Sequence, residues 1–217
     1  MKHIYCILIS CLIAVSAYTQ AKQKEISHYL FPEFTEGLIL LKTGEKYDVL
    51  LNYNALTEEV IFEDKGKKLA IAKNVVEIID TVFIKERKFI ALNSILVELL
   101  YHSKLDLYVE HKCRVKEKGT PIGYGSRSKN AAIKSYSAFY SEGNLNELKL
   151  PDNYEIESYT IYWLKKNGKT KRFRSMRELK KLYKDKGDLF KAYVKEYDVE
   201  YNNQESIIQL IEYLETK

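Results

Sequence analysis

His111 and Cys113 stand two apart in the segment Leu105-Asp106-Leu107-Tyr108-Val109-Glu110-His111-Lys112-Cys113-Arg114-Val115. On an extended strand, residues two apart share a face. An imidazole and a thiol so placed can serve as a nucleophilic pair or as two ligands of a metal. The rest of that face argues otherwise, because Leu105, Leu107, Val109 and Val115 share its parity. Asp106, Tyr108, Glu110, Lys112 and Arg114 take the other parity, which is the period-2 pattern of a half-buried strand. A zinc site needs three or four ligands, and neither His28 nor His102 has a ligand spacing to this pair. Cys113 is therefore expected to be a small buried hydrophobe.

No other motif assigns a reaction. Gly123-Tyr124-Gly125 lacks the preceding strand and following helix of a phosphate-cradling loop. Gly-x-Ser-x-Gly, His-Glu-x-x-His and EF-hand patterns do not occur. Carboxylates are plentiful, but no spacing marks two of them as an acid–base couple. No catalytic residue, metal ligand or cofactor is expected on these grounds.

Charge is distributed unevenly. Residues 165–195 carry 13 positive and 3 negative side chains, whereas residues 196–217 carry 1 and 6. Lys169, Lys171, Arg172 and Arg174 decorate a hairpin, and Arg177 and Lys181 lie off the apolar face of the helix that follows. The plainest reading is a solvated face, partly neutralised by the acidic last helix. The functional reading makes these six residues a binding surface for an anionic partner, such as lipid phosphates, an acidic glycan or an envelope protein. Nucleic acid also fits a basic footprint, but export would keep this chain from the chromosome.

Aromatic residues crowd the same region: Tyr136, Phe139, Tyr140, Tyr154, Tyr159, Tyr162 and Trp163. Such rings bind sugars or partners when exposed, and form cross-strand pairs when buried.

The elements that hold these residues follow from pattern. With 46% hydrophobic and 30% charged residues, the 217-residue chain can build a packed core. Residues 18–115 read as successive short strands separated by Gly/Asn/Asp/Lys turns, an antiparallel meander closing as a barrel or sandwich. Residues 116–146 shift to Gly, Ser, Asn and Lys and read as a long polar connection. Residues 147–217 read as an edge strand, a hairpin turning at Asn167-Gly168, and a three-helix unit. Ser175-Met176-Arg177-Glu178 is a capping box for the first helix, and Gly187-Asp188 is expected to stop it and cap the second. Leu189, Phe190, Tyr193, Val194 and Tyr197 would face inward on that second helix, and Asn202-Asn203 introduces the third. The fold class is α+β. The alternative to a binding module is a metal-free hydrolase with a carboxylate-lined cleft between the β-domain and the C-terminal helices.

Residues 1–17 resemble a secretory leader: Met1-Lys2-His3 precedes an apolar stretch that ends at Val15-Ser16-Ala17. The run is too short for a good spanning helix, so the chain is not expected to be an integral membrane protein. Leu8-Ile9-Ser10-Cys11 superficially fits a lipobox but sits too early, since apolar residues continue to Ala17. Cleavage after Ala17 would remove Cys6 and Cys11 and leave Cys113 alone, without an intramolecular disulfide.

Three stretches carry a family resemblance: Leu30-Phe31-Pro32-Glu33-Phe34, Leu51-Asn52-Tyr53-Asn54-Ala55-Leu56-Thr57-Glu58-Glu59 and Glu147-Leu148-Lys149-Leu150-Pro151. With Tyr162-Trp163-Leu164 and the helical tail, they resemble a family of small uncharacterised exported proteins of Bacteroidota. That resemblance implies a Gram-negative envelope protein, periplasmic or outer-membrane-associated, and carries over no functional residue.

Overall fold

The computed structural model describes residues 28–117, 121–122, 126–127 and 154–217. The leader expected at residues 1–17, Gly123-Tyr124-Gly125, Tyr136 to Tyr140 and the edge strand expected at Glu147 to Leu150 lie outside these residues.

Tight reversals dictate an antiparallel sheet. Lys65-Gly66, Asn93-Ser94 and Asn167-Gly168 each place two successive residues at positive φ, between 49° and 76°. That twist matches the right-handed twist of the strands it joins. The strands are β1 (Thr35–Leu41), β2 (Lys46–Asn54), β3 (Glu59–Asp64), β4 (Lys67–Ala70), β5 (Ile79–Ile84), β6 (Arg87–Leu92), β7 (Ile95–His102) and β8 (Asp106–Glu117). A two-stranded pair, β9 (Pro121–Ile122) with β10 (Ser126–Arg127), stands apart. The hairpin is β11 (Tyr154–Lys166) and β12 (Lys169–Phe173). Ten strands form one sheet in the order β12-β11-β8-β7-β6-β5-β1-β2-β3-β4. A short helix, α1 (Lys73–Val76), links β4 to β5.

The expected barrel does not close. The sheet curls until the carbonyl of Ala55, just past β2, accepts a hydrogen bond from Cys113 N at 2.9 Å. No ladder follows, because Asn54 Oδ1 accepts from Leu56 N (3.0 Å) and Thr57 N (3.3 Å) and turns the chain away. On the other side of β8, β11 pairs continuously from Tyr154↔Glu117 to Lys165↔Asp106. The C-terminal hairpin thus extends the same sheet, and β12 is the terminal strand on that side among the described residues.

Two apolar cores result. The first fills the curl with Leu51, Tyr53, Ile79, Val82, Ile84 and Phe89. The second lies between the hairpin end of the sheet and the helices, around Leu107, Tyr162, Phe173, Leu179, Ile207 and Leu210. The helices are α2 (Met176–Leu182), α3 (Gly187–Tyr197) and α4 (Gln204–Thr216), with a single 3-10 turn (Lys184–Lys186) between the first two. The α+β class stands.

Ser175 caps α2, its hydroxyl accepting from Glu178 N at 3.2 Å while Glu178 Oε2 accepts from Arg174 N at 2.8 Å. Gly187 does not stop this helix. Its φ of −57° is helical, and α2 ends earlier, where Tyr183 leaves helical geometry at φ −115° and buries its ring. On α3, Leu189 and Tyr197 are exposed (37% and 58%), and Phe190 is the buried residue. The helix packs along a narrow stripe, which includes a Tyr193–Tyr213 ring contact at 4.6 Å. Asn203 caps α4, accepting from Ser206 N at 3.1 Å. Among the described residues, no helix is long and apolar enough to cross a membrane.

Candidate functional site

The odd face of β8 is buried as its pattern requires: Leu105, Leu107, Val109, His111, Cys113 and Val115 are all inside. His111 does not pair with Cys113 as a nucleophile would. Its Nε2 lies 2.6 Å from Glu98 Oε2 and 2.8 Å from an Arg87 guanidinium nitrogen. Arg87 Nε also donates to Glu98 Oε1 at 2.6 Å, and a second nitrogen of its fork contacts Glu98 Oε2. Register makes this triad: Phe89 faces Glu98 across β6–β7, and Glu98 faces Val109 across β7–β8. The triad thus sits inside the curl, with Tyr53 edge-on to the imidazole at 6.2 Å.

Burial alone would raise the Glu98 carboxyl, but the hydrogen bonds from Arg87 and His111 outweigh it and hold the carboxyl below its ordinary value. Cys113 moves the opposite way to a reactive thiol. Burial, with the nearby Glu58 charge, pushes it up to about 12, so the thiolate is strongly disfavoured. Among the described residues, no group of three or more His, Cys, Asp and Glu side chains could hold a metal ion.

Part of the even face of β8 is covered too, at Tyr108, Glu110 and Lys112 but not at Arg114, which the period-2 pattern does not show. Lys112 Nζ lies 2.5 Å from Glu58 Oε1 and 2.9 Å from Glu110 Oε1. Trp163 Nε1 donates to Glu110 Oε2 at 3.0 Å. Burial raises the Glu58 carboxyl; Glu110, also buried, is kept low by Lys112 and Trp163. Opposite shifts on neighbouring carboxylates can mark an acid–base pair. Here both oxygens of Glu110 are occupied by protein donors, so the pair serves as an internal brace.

The cationic residues gather at the β12 end of the sheet. Across the hairpin, Lys166 faces Lys169, Leu164 faces Lys171, and Tyr162 faces Phe173. Because Phe173 and Tyr162 are in the helix-side core, strand alternation puts Lys169 and Lys171 on that same face. Arg172 takes the reverse face, where its guanidinium lies 6.0 Å from the Trp163 ring centre. Arg174 follows the strand end and is exposed, as are Arg177 and Lys181 on the outer side of α2. The structure therefore brings Lys169 and Lys171 together, and spreads Arg172, Arg174, Arg177 and Lys181 around the edge.

None of these six cations forms an ion pair with a described residue. Some cations elsewhere are matched. Arg114 and Lys116 hold the Glu157 carboxyl down to about 2. Lys112 has Glu58 and Glu110, and Lys166 Nζ lies 2.6 Å from Glu215 Oε2. The acidic last helix thus reaches the stripe through Glu215, at Lys166 rather than at the six. The aromatic cluster divides as well: Tyr162 is fully buried, while Tyr159 is exposed and lies 5.6 Å from the Arg114 guanidinium.

Sequence reasoning missed the Arg87–Glu98–His111 triad. The signal for it was a lone acid in the apolar run Ile95-Leu96-Val97-Glu98-Leu99-Leu100, since a buried carboxylate demands partners. No family model matches the chain, and no curated protein or solved structure does.

Proposed function

We propose that this protein is an exported cell-envelope binding module, without enzymatic activity, whose cationic sheet edge contacts an anionic surface. Export is supported by the leader pattern at residues 1–17. One observation carries the binding reading: six exposed cations on β12, on α2 and between them cluster without an acidic partner among the described residues, in a stretch where residues 165–195 carry 13 positive and 3 negative side chains. A sheet edge with unpaired backbone groups invites association with another strand. Lysines on β12 discourage that, and leave the edge open to phosphates or sulfates. Exposed charges in this arrangement steer anionic partners and give affinity that salt screens.

The test is the triple substitution Lys169→Gln, Lys171→Gln and Arg174→Gln. Its binding to anionic vesicles should fall at least tenfold, because each cation near an anionic membrane contributes roughly 1 kcal/mol. Thermal stability should move little, since solvated charges away from special features contribute within about 0.5 kcal/mol each. Vesicle co-sedimentation and thermal unfolding read the two effects separately. Unchanged binding by the triple variant would reject the surface.

A further inference from the structure

Between the hairpin and the helices lies a cleft of about 290 Å³, whose charged lining is Lys166, Lys169, Lys171, Lys186, Asp185 and Glu215. Four lysines face two carboxylates, which leaves a surplus of two positive charges. Glu215 is taken up by Lys166, whose ammonium lies 2.9 and 2.6 Å from its two oxygens. Lys186 contacts the carbonyl of Leu214, near the end of α4. Lys169 and Lys171 have no such partner among the described residues.

A second feature of the cleft is independent of its charge. Tyr183 is 5% exposed, yet its hydroxyl is buried without a hydrogen-bond partner. The Glu215 carboxylate is close enough to add to the effect of burial in raising the phenol's pKa, but the two do not meet in hydrogen-bonding geometry. An unmade hydrogen bond of this kind costs about 1–3 kcal/mol. Proteins keep such a group where something else completes it.

We infer that this cleft is a discrete site for a phosphate monoester, with Lys169, Lys171 and Lys186 around the dianion and the Tyr183 hydroxyl donating to one of its oxygens. The inference rests on the reading of β12 as an anion-binding edge and gives that edge a specific pocket. The charge surplus equals the charge of a phosphomonoester, and lysines bind phosphate as point charges. The volume exceeds that of phosphate alone, leaving room for a small alcohol such as glycerol. The hydroxyl has almost no exposed surface, so the site requires the side chains over it to shift before a phosphate oxygen reaches the phenol.

The probe is sn-glycerol 3-phosphate, titrated into the full-length protein by calorimetry, with glycerol as the uncharged control. Tyr183→Phe keeps the ring in the core and deletes only the unpaired hydroxyl, so its melting temperature should equal or exceed that of the wild type. Its affinity for glycerol phosphate should fall about tenfold, the loss expected for one hydrogen bond to a charged group. Lys171→Gln should weaken binding similarly, while Lys73→Gln on distant α1, with the same charge change, should not. Equal affinity of wild type and Tyr183→Phe would overturn the site, as would an equal loss from Lys73→Gln. Vesicle binding without any glycerol phosphate binding would remove the cleft and keep the surface. Failure of both would remove both.

Discussion

Glu98→Ala should lower the unfolding free energy by about 3–5 kcal/mol, the usual cost of removing one partner from a buried ion pair. Glu98 is 5% exposed and the only carboxylate in contact with both Arg87 and His111 in this cluster. Its loss leaves the partly exposed Arg87 guanidinium and the buried His111 imidazole, packed against Phe31, Phe89 and Tyr53, without the carboxylate that both contact. Urea unfolding followed by circular dichroism measures the loss. A cost below about 1 kcal/mol would mean that the triad is not stabilising, a result some buried ion pairs give when replaced by apolar groups.

Glu98→Gln adds a pH test. The folded carboxyl titrates below the ordinary value of 4.5. The unfolded chain therefore binds this proton more readily, and the contribution of Glu98 is complete above the unfolded pKa. It is lost as pH falls through the folded one. Wild-type stability should thus fall through this acid range more steeply than that of Glu98→Gln. Parallel acid limbs would contradict the assignment.

Phe173→Ala should cost about as much, 3–5 kcal/mol by the range for large aromatic truncations in a core. The ring is fully buried, stacks on Tyr162 with centres 5.1 Å apart, and meets Tyr201 edge-on at 6.3 Å. Tyr201 bonds the sheet through its hydroxyl, donating to Thr160 O at 3.0 Å and Phe173 O at 3.3 Å. Tyr162 returns a bond from its own hydroxyl to Tyr201 O at 3.1 Å. Truncating Phe173 opens a cavity at the seam that docks the helices on β11 and β12. Amide hydrogen exchange should show α4 losing protection together with β12, and less change in β1 and β5. Loss confined to β12 would show that the helices dock independently of this ring.

What the sequence reveals here depends on distance along the chain. The β8 alternation, the Asn167-Gly168 reversal and the Ser175 and Asn203 caps are local, and each is found where its residues place it, whereas Leu189 and Tyr197 on α3 stay exposed. Gly187 was misleading because glycine stops a helix only where the backbone turns left-handed, and here it stays helical. Closure of the sheet was not legible: it depended on whether β2 kept pairing with β8, and the Asn54 turn ended that after one bond. The Arg87–Glu98–His111 triad joins three strands through register, so no spacing announces it. For the candidate surface, composition identified the cations. Only strand parity separated Lys169 and Lys171 on the helix side from Arg172 on the reverse.

Salt is the most direct probe of the proposed function. Vesicles containing phosphatidylglycerol should retain the wild-type protein at about 0.05 M salt and release most of it by about 0.5 M, since the screening length falls from more than 10 Å to a few ångströms over that range. Vesicles of phosphatidylcholine alone should retain little at any salt. Binding that is equal on both vesicle types, or that persists unchanged at high salt, would contradict an electrostatic surface on β12 and α2.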